Sequence, residues 1–146
     1  MAILFIEKFP GFKLEKKRVL KKWIRSCIEG KGKKCGDITF VFDSDAEIRE
    51  INKKYLQHDW FTDVIAFDYN EGNTVNGDIL ISVERVRENA GIYKVEENEE
   101  IRRVMIHGVL HLLGHEDDTE KKKNAMHEEE NACLRRWTKE VRDGKI

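Results

Sequence analysis

VIAFDYNEGNTVNGDILIS, residues 64–82, decides the fold class. VIAFDY (Val64–Tyr69) and GDILIS (Gly77–Ser82) are strand-like runs, and the NEGNTVN between them is rich in turn formers. The pattern predicts two strands joined as a hairpin or near-hairpin. Upstream, GDITFVFDS (Gly36–Ser44) alternates Ile38, Phe40 and Phe42 with Thr39, Val41 and Asp43, which predicts another strand. The opening MAILFIEKFPGFK carries no basic leader ahead of its apolar stretch, so a first strand is expected rather than a signal peptide.

Helical spacing governs the rest. Leu20, Trp23, Ile24, Cys27 and Ile28 predict a helix from about Leu14 to near Gly30. Ser44 and Glu47 form a capping box for a short helix, AEIREINKKY. After Val83 the periodicity predicts a short helix to about Ala90, a long one over Glu97–Leu113 and a last one over Thr119–Val141. On that last helix Ala125, Met126, Glu129, Ala132, Cys133 and Trp137 are expected to share a face. A few strands followed by a helical second half predict an α+β fold, with helices packed on a small sheet.

The chain has 146 residues, which predicts one domain spanning 1–146 with room for a real core. Hydrophobic residues make up 40% and charged residues 38%, which fits a globular protein with a heavily charged surface. No apolar run approaches the roughly 20 residues needed to span a bilayer. The three cysteines, Cys27, Cys35 and Cys133, form no CxxC pair and read as buried thiols rather than a disulfide frame. Net charge is −1, so the chain as a whole does not seek polyanions. Basic residues nevertheless dominate Lys13–Lys34, either as the solvated side of an amphipathic helix or as a face for nucleic acid.

Chemistry concentrates in HGVLHLLGHEDD, His107–Asp118. His107 and His111 stand at i and i+4, one turn apart on one helix face, so both imidazoles can reach one ion. Gly114 can end the helix in the left-handed conformation and let the chain turn back. Counted from His107, the spacing is His at +4, Gly at +7 and Asp117 at +10. This is the zincin-like HExxHxxGxxH spacing with two substitutions. Gly108 replaces the glutamate that serves zinc proteases as general base, which argues against a peptidase. Asp117 replaces the third histidine; carboxylate oxygen binds Zn²⁺ well and broadens tolerance of other divalent metals. His115, Glu116 and Asp118 are its neighbours, but a turn at Gly114 would point His115 away, so Asp117 is the expected third ligand.

These residues resemble the YbeY endoribonuclease (ribosomal RNA maturation factor) family, whose signature is HGxLHLxGyDH. Two further stretches carry the resemblance. NKKYLQHDWFTDVIAFDY (Asn52–Tyr69) looks like NxxYRxxDxxTDVLSF, and GDILIS like GDIxIS. The resemblance implies a small mixed sheet with several helices, and one metal ion, expected to be zinc, in a cleft. It also implies a bacterial cytoplasmic protein that cleaves single-stranded RNA during ribosomal RNA processing and works with the ribosome or its assembly factors. By position, His107, His111 and Asp117 take the family's three metal-ligand roles. Leu56 stands where the family has an arginine, so that residue's role does not carry over; a leucine cannot hold a phosphate. Lys53, Lys54 or His58 could substitute for it, or be plain surface residues. Asp59, Thr62 and Asp63 match the family pattern and read equally as a capped turn into the next strand or as reacting groups. No general base is assigned. The rival readings are a non-catalytic ribosome assembly factor with a structural metal and, less favoured, a metallopeptidase.

Overall fold

The alternation in residues 36–44 and the two apolar runs that follow become neighbouring strands of one four-stranded sheet. The computed structural model describes residues 2–56 and 62–142. Its elements are β1 (Ile3–Glu7), α1 (Lys17–Glu29), β2 (Lys34–Asp43), α2 (Asp45–Leu56), β3 (Val64–Asp68), β4 (Thr74–Ser82), α3 (Val83–Tyr93), α4 (Glu97–Leu112) and α5 (Glu120–Arg142). The sheet order is β1-β2-β4-β3. β1 and β4 run parallel to β2, while β3 runs antiparallel to β4, with Ala66 opposite Ile79. The sheet is therefore mixed. The expected hairpin is present, and β4 starts at Thr74 rather than Gly77 because Glu71 and Thr74 bridge across the turn.

Period-two alternation sorts the strand residues onto two faces. Phe40, Phe42, Ile79 and Ile81 point to one face, fully buried with Trp23, Ile24 and Ile28 of α1 and Met105, Ile106 and Val109 of α4. Leu80 and Ile65 point to the other, where they pack with Ile48 of α2 in a smaller cluster. The main core thus lies between the sheet and the layer of α1, α4 and α5. Arg18, Lys21 and Lys22 of α1 are exposed, so the basic run is the solvated side of an amphipathic helix. All three cysteines are buried and none is in a disulfide among the described residues. Among the described residues no helix is long and apolar enough to cross a membrane.

Caps confirm most boundaries. The Ser44 hydroxyl accepts from the Glu47 amide at 3.2 Å, but the expected capping box is only half made. The Ser44 amide is taken by the Asp43 carboxylate at 2.8 Å, not by Glu47. Helix α3 runs to Tyr93, past the expected end near Ala90, and Ser82 caps its start by accepting from the Arg85 amide.

Helix α4 comes unusually close to the sheet because both partners offer glycine. A Cβ at Gly108 would lie 2.6 Å from Ile79 Cγ2, and one at Gly77 2.7 Å from a Leu112 methyl. Ile79 is β-branched and fully buried, so it cannot swing aside cheaply. Gly108→Ala is therefore expected to cost about 1–3 kcal/mol through overpacking. Chemical denaturation checks this; unchanged stability would show that α4 can lift off β4 freely.

Candidate metal centre

Helix α4 carries the two histidines to its C-terminal end, where a Schellman turn decides what lies beyond. The Gly114 amide donates to the His111 carbonyl at 3.0 Å and the His115 amide to the Leu110 carbonyl at 3.0 Å. Gly114 has φ +95, a conformation that favours glycine. The turn folds the chain back and sets Asp117 opposite the imidazoles.

His107 Nε2 and His111 Nε2 face each other at 3.0 Å. Asp117 Oδ2 lies 3.3 Å from the first and 3.8 Å from the second. Four ligands at about 2.0–2.1 Å in a tetrahedron sit about 3.3–3.4 Å apart, so these three atoms fit three corners around one ion. Among the described residues they form the one group of three or more such side chains that converges closely enough to hold an ion. The rival ligands are engaged elsewhere: Glu116 and Asp118 pair with Lys122 at 2.9 and 3.2 Å. His115 contributes its main chain, not its ring.

The far sides of the rings explain why both Nε2 atoms are available. His111 Nδ1 donates to the His115 carbonyl at 3.0 Å, and His107 Nδ1 donates to Glu130 Oε2 at 2.5 Å. A carbonyl can only accept, and so can an ionised carboxylate, so each ring keeps its proton on Nδ1. Two Nε2 atoms then confront each other at 3.0 Å, an arrangement that a proton shared between them or a bound metal cation satisfies. Glu130 is buried and also receives Arg103 Nη1 at 2.8 Å. Burial works to raise its pKa, but the His107 hydrogen bond and Arg103 prevail and lower it. His107 shows the mirror case: burial opposes its charge, yet Glu130 prevails and raises its pKa. The His111 pKa is pushed down by burial and then by the His107 charge. A carboxylate on the far nitrogen of a ligating histidine is the usual way to fix ring and tautomer.

The three atoms open into a cleft of about 600 Å³, lined also by Asn52, Leu56, Thr62 and Asp63. Leu56 reaches this cleft from the end of α2 and brings no charge. Lys53 and Lys54 lie on the exposed side of α2, Lys54 over the Tyr55 ring at 5.3 Å. His58 and Asp59 lie outside the described residues. Thr62 makes the turn contact expected of it, donating to the Val64 carbonyl at 3.3 Å. Asp63 is held at the strand entrance, its carbonyl accepting from the Ser82 amide at 2.9 Å. Burial raises the Asp63 pKa. Gly108 faces Ile79, so a protease-type glutamate at that position would run into the sheet.

Sequence reading missed Glu130, Arg103 and Glu100. It placed Glu129 on the buried face of α5, whereas the buried residues are Met126, Glu130, Cys133 and Trp137. The spacing 126, 130, 133, 137 was itself the signal: a carboxylate inside an otherwise apolar stripe needs a buried partner. Helix α4 carried the same signal, with Glu100, Arg103, His107 and His111 spaced by three or four residues.

Fold and site together define a class: an α+β protein with two histidines and an aspartate that could hold a metal ion at the end of a helix, and an open cleft beside them. The YbeY family model (Endoribonuclease YbeY) matches residues 10–138. Proteins named Endoribonuclease YbeY from Parabacteroides distasonis and Christiangramia forsetii are 44% and 46% identical to this chain. The alignments cover 92% and 84% of this chain and 94% and 87% of those proteins. A solution structure from Thermotoga maritima superimposes with TM-score 0.63 at 24% identity, covering 98% of this chain and 93% of that one. The chain belongs to the YbeY endoribonuclease family.

Two outcomes follow from this geometry. Glu130→Ala frees the His107 ring and is expected to weaken metal affinity about 10–100-fold, measured by competition with a chromophoric chelator. Equal affinity in the variant would mean that Glu130 does not orient the ligand. Glu100 is the second case: burial first, and then the Asp63 charge, raise its pKa from 4.5 to about 7. Because its folded value exceeds its unfolded one, stability falls as pH rises from 4.5 to about 7 and then levels. Glu100→Gln should remove that fall and raise the unfolding temperature at about pH 8, with little change at about pH 4. A variant less stable at both would contradict this.

Proposed function

We propose that the chain is a zinc-dependent endoribonuclease, a single cytoplasmic domain over residues 1–146 that cleaves single-stranded ribosomal RNA during ribosome maturation. The observation that carries this reading is the pair of Nε2 atoms facing each other with Asp117 beside them. Two imidazoles and one carboxylate with an open fourth position match the three-ligand pattern of catalytic rather than structural zinc sites. The relatives' names point the chemistry toward RNA. His107, His111 and Asp117 would be the ligands, and tolerance of other divalent metals follows from the carboxylate.

A divalent ion held there supplies Lewis-acid polarisation of the scissile phosphate. The chain's own residues do the rest. Glu130 and the His115 carbonyl hold the two rings in the ligating tautomer, and Arg103 holds Glu130. Asp63 borders the cleft as a half-buried carboxylate outside the ligand set. The second reading is a ribosome assembly factor whose metal only locks the fold. Leu56 favours it, because an uncharged side chain reaches the cleft where the family signature has arginine.

Incubation of the metal-loaded chain with single-stranded ribosomal RNA separates the two. The nuclease reading predicts internal cleavage that a chelator abolishes, zinc restores, and Asp117→Ala and His111→Ala lose. Ribosome binding with no cleavage above the Asp117→Ala control would establish the assembly factor instead. Elemental analysis of protein purified without added metal identifies the ion.

A further inference from the structure

Behind the metal cleft lies a second cavity of about 480 Å³ that the ligand set does not use. It shares Asp63 and His107 with the cleft, so one extended molecule can occupy both. Its walls include Tyr93, Val95 and Val104, with Asn89 and Glu100 supplying polar groups. Glu100 is only 4% exposed and lines this cavity. A carboxylate on the wall of a cavity, with the rest of its residue buried, is a fixed acceptor that a ligand's donor can reach.

Charge and geometry narrow the occupant. Asp63, Glu99, Glu100 and Glu130 outnumber Arg103, His107 and His127 around the cavity. Arg103 is already spent on Glu130 and Asn131, both at 2.8 Å. A phosphate would meet net negative charge with no free guanidinium. A second metal ion is also disfavoured, because these carboxylates do not converge as His107, His111 and Asp117 do. Tyr93 is 63% exposed at the end of α3, an accessible ring on which a flat heterocycle can stack.

We propose that this cavity is a nucleobase pocket, which receives the base of a nucleotide bordering the scissile phosphate and selects bases that carry an exocyclic amino group. The proposal rests on the nuclease reading for its choice of ligand. Ionised Glu100 can only accept: adenine, cytosine and guanine each offer it an amino donor, whereas uracil offers only a ring N–H flanked by two carbonyl oxygens. Tyr93 supplies stacking that every base can use, and Glu100 supplies the discrimination.

The test titrates the full zinc-loaded chain at about pH 8, where Glu100 is ionised, with tri-adenylate, tri-cytidylate and tri-uridylate, their phosphorothioate linkages resisting hydrolysis. Adenylate and cytidylate should bind about tenfold tighter than uridylate, the discrimination expected of a good base-edge contact. Tyr93→Ala, at an exposed position that leaves the fold intact, should weaken all three about tenfold through lost stacking. Glu100→Gln presents both a donor and an acceptor and should narrow the gap by admitting uridylate. Equal affinity for the three trinucleotides, unmoved by either substitution, overturns the pocket. If discrimination appears but unmodified RNA is never cut, the nuclease reading fails and the pocket stands. Cleavage without discrimination refutes the pocket alone.

Discussion

Two imidazole nitrogens facing each other at 3.0 Å, each with its proton held on the far side of its ring, constrain everything around them. Such a pair is satisfied by a bound cation or a shared proton, because two facing lone pairs have no donor between them. The protein commits to that arrangement twice over. The Schellman turn that ends α4 also provides the carbonyl that orients His111, and a carboxylate from α5 orients His107. The site is therefore a joint product of one helix end and a helix packed against it.

That dependence reaches into the core. Glu130 stays in place because α5 is docked on α1 and α4 by aromatic contacts. Trp23 donates its indole N–H to the Cys133 carbonyl at 2.7 Å and meets Trp137 edge-on at 5.5 Å. Arg102 covers the Trp137 ring at 4.6 Å. On the opposite side of α4, Gly108 and Gly77 let helix and strand approach, which fixes the height of the histidines above the sheet. The glycine that stands in place of a protease glutamate is thus a packing residue.

Much of this was legible in the sequence, for reasons that can be named. Local spacing records what one helix can do alone, so the i, i+4 histidines and the glycine at +7 predicted the clustering of His107, His111 and Asp117 and the turn that closes it. Strand alternation likewise predicted β2 and the β3–β4 hairpin. The order β1-β2-β4-β3 was less visible, since parallel pairing joins segments far apart in sequence and leaves no local mark. Glu130 was missed for a similar reason. Its partner lies 23 residues away on another helix, and a one-residue error in the phase of α5 put Glu129 in its place. Leu56 is the converse case: its departure from the family signature was plain in the sequence, and the fold shows that it does border the cleft.

The central claim is that two imidazoles and one carboxylate hold one ion in the Nδ1–H tautomer. X-ray absorption at the zinc edge of the zinc-loaded chain tests it most directly. The account predicts two imidazole nitrogens at about 2.0–2.1 Å with the remaining positions filled by oxygen, and no sulfur. A spectrum with a sulfur ligand at about 2.3 Å, or with a single imidazole, would contradict it.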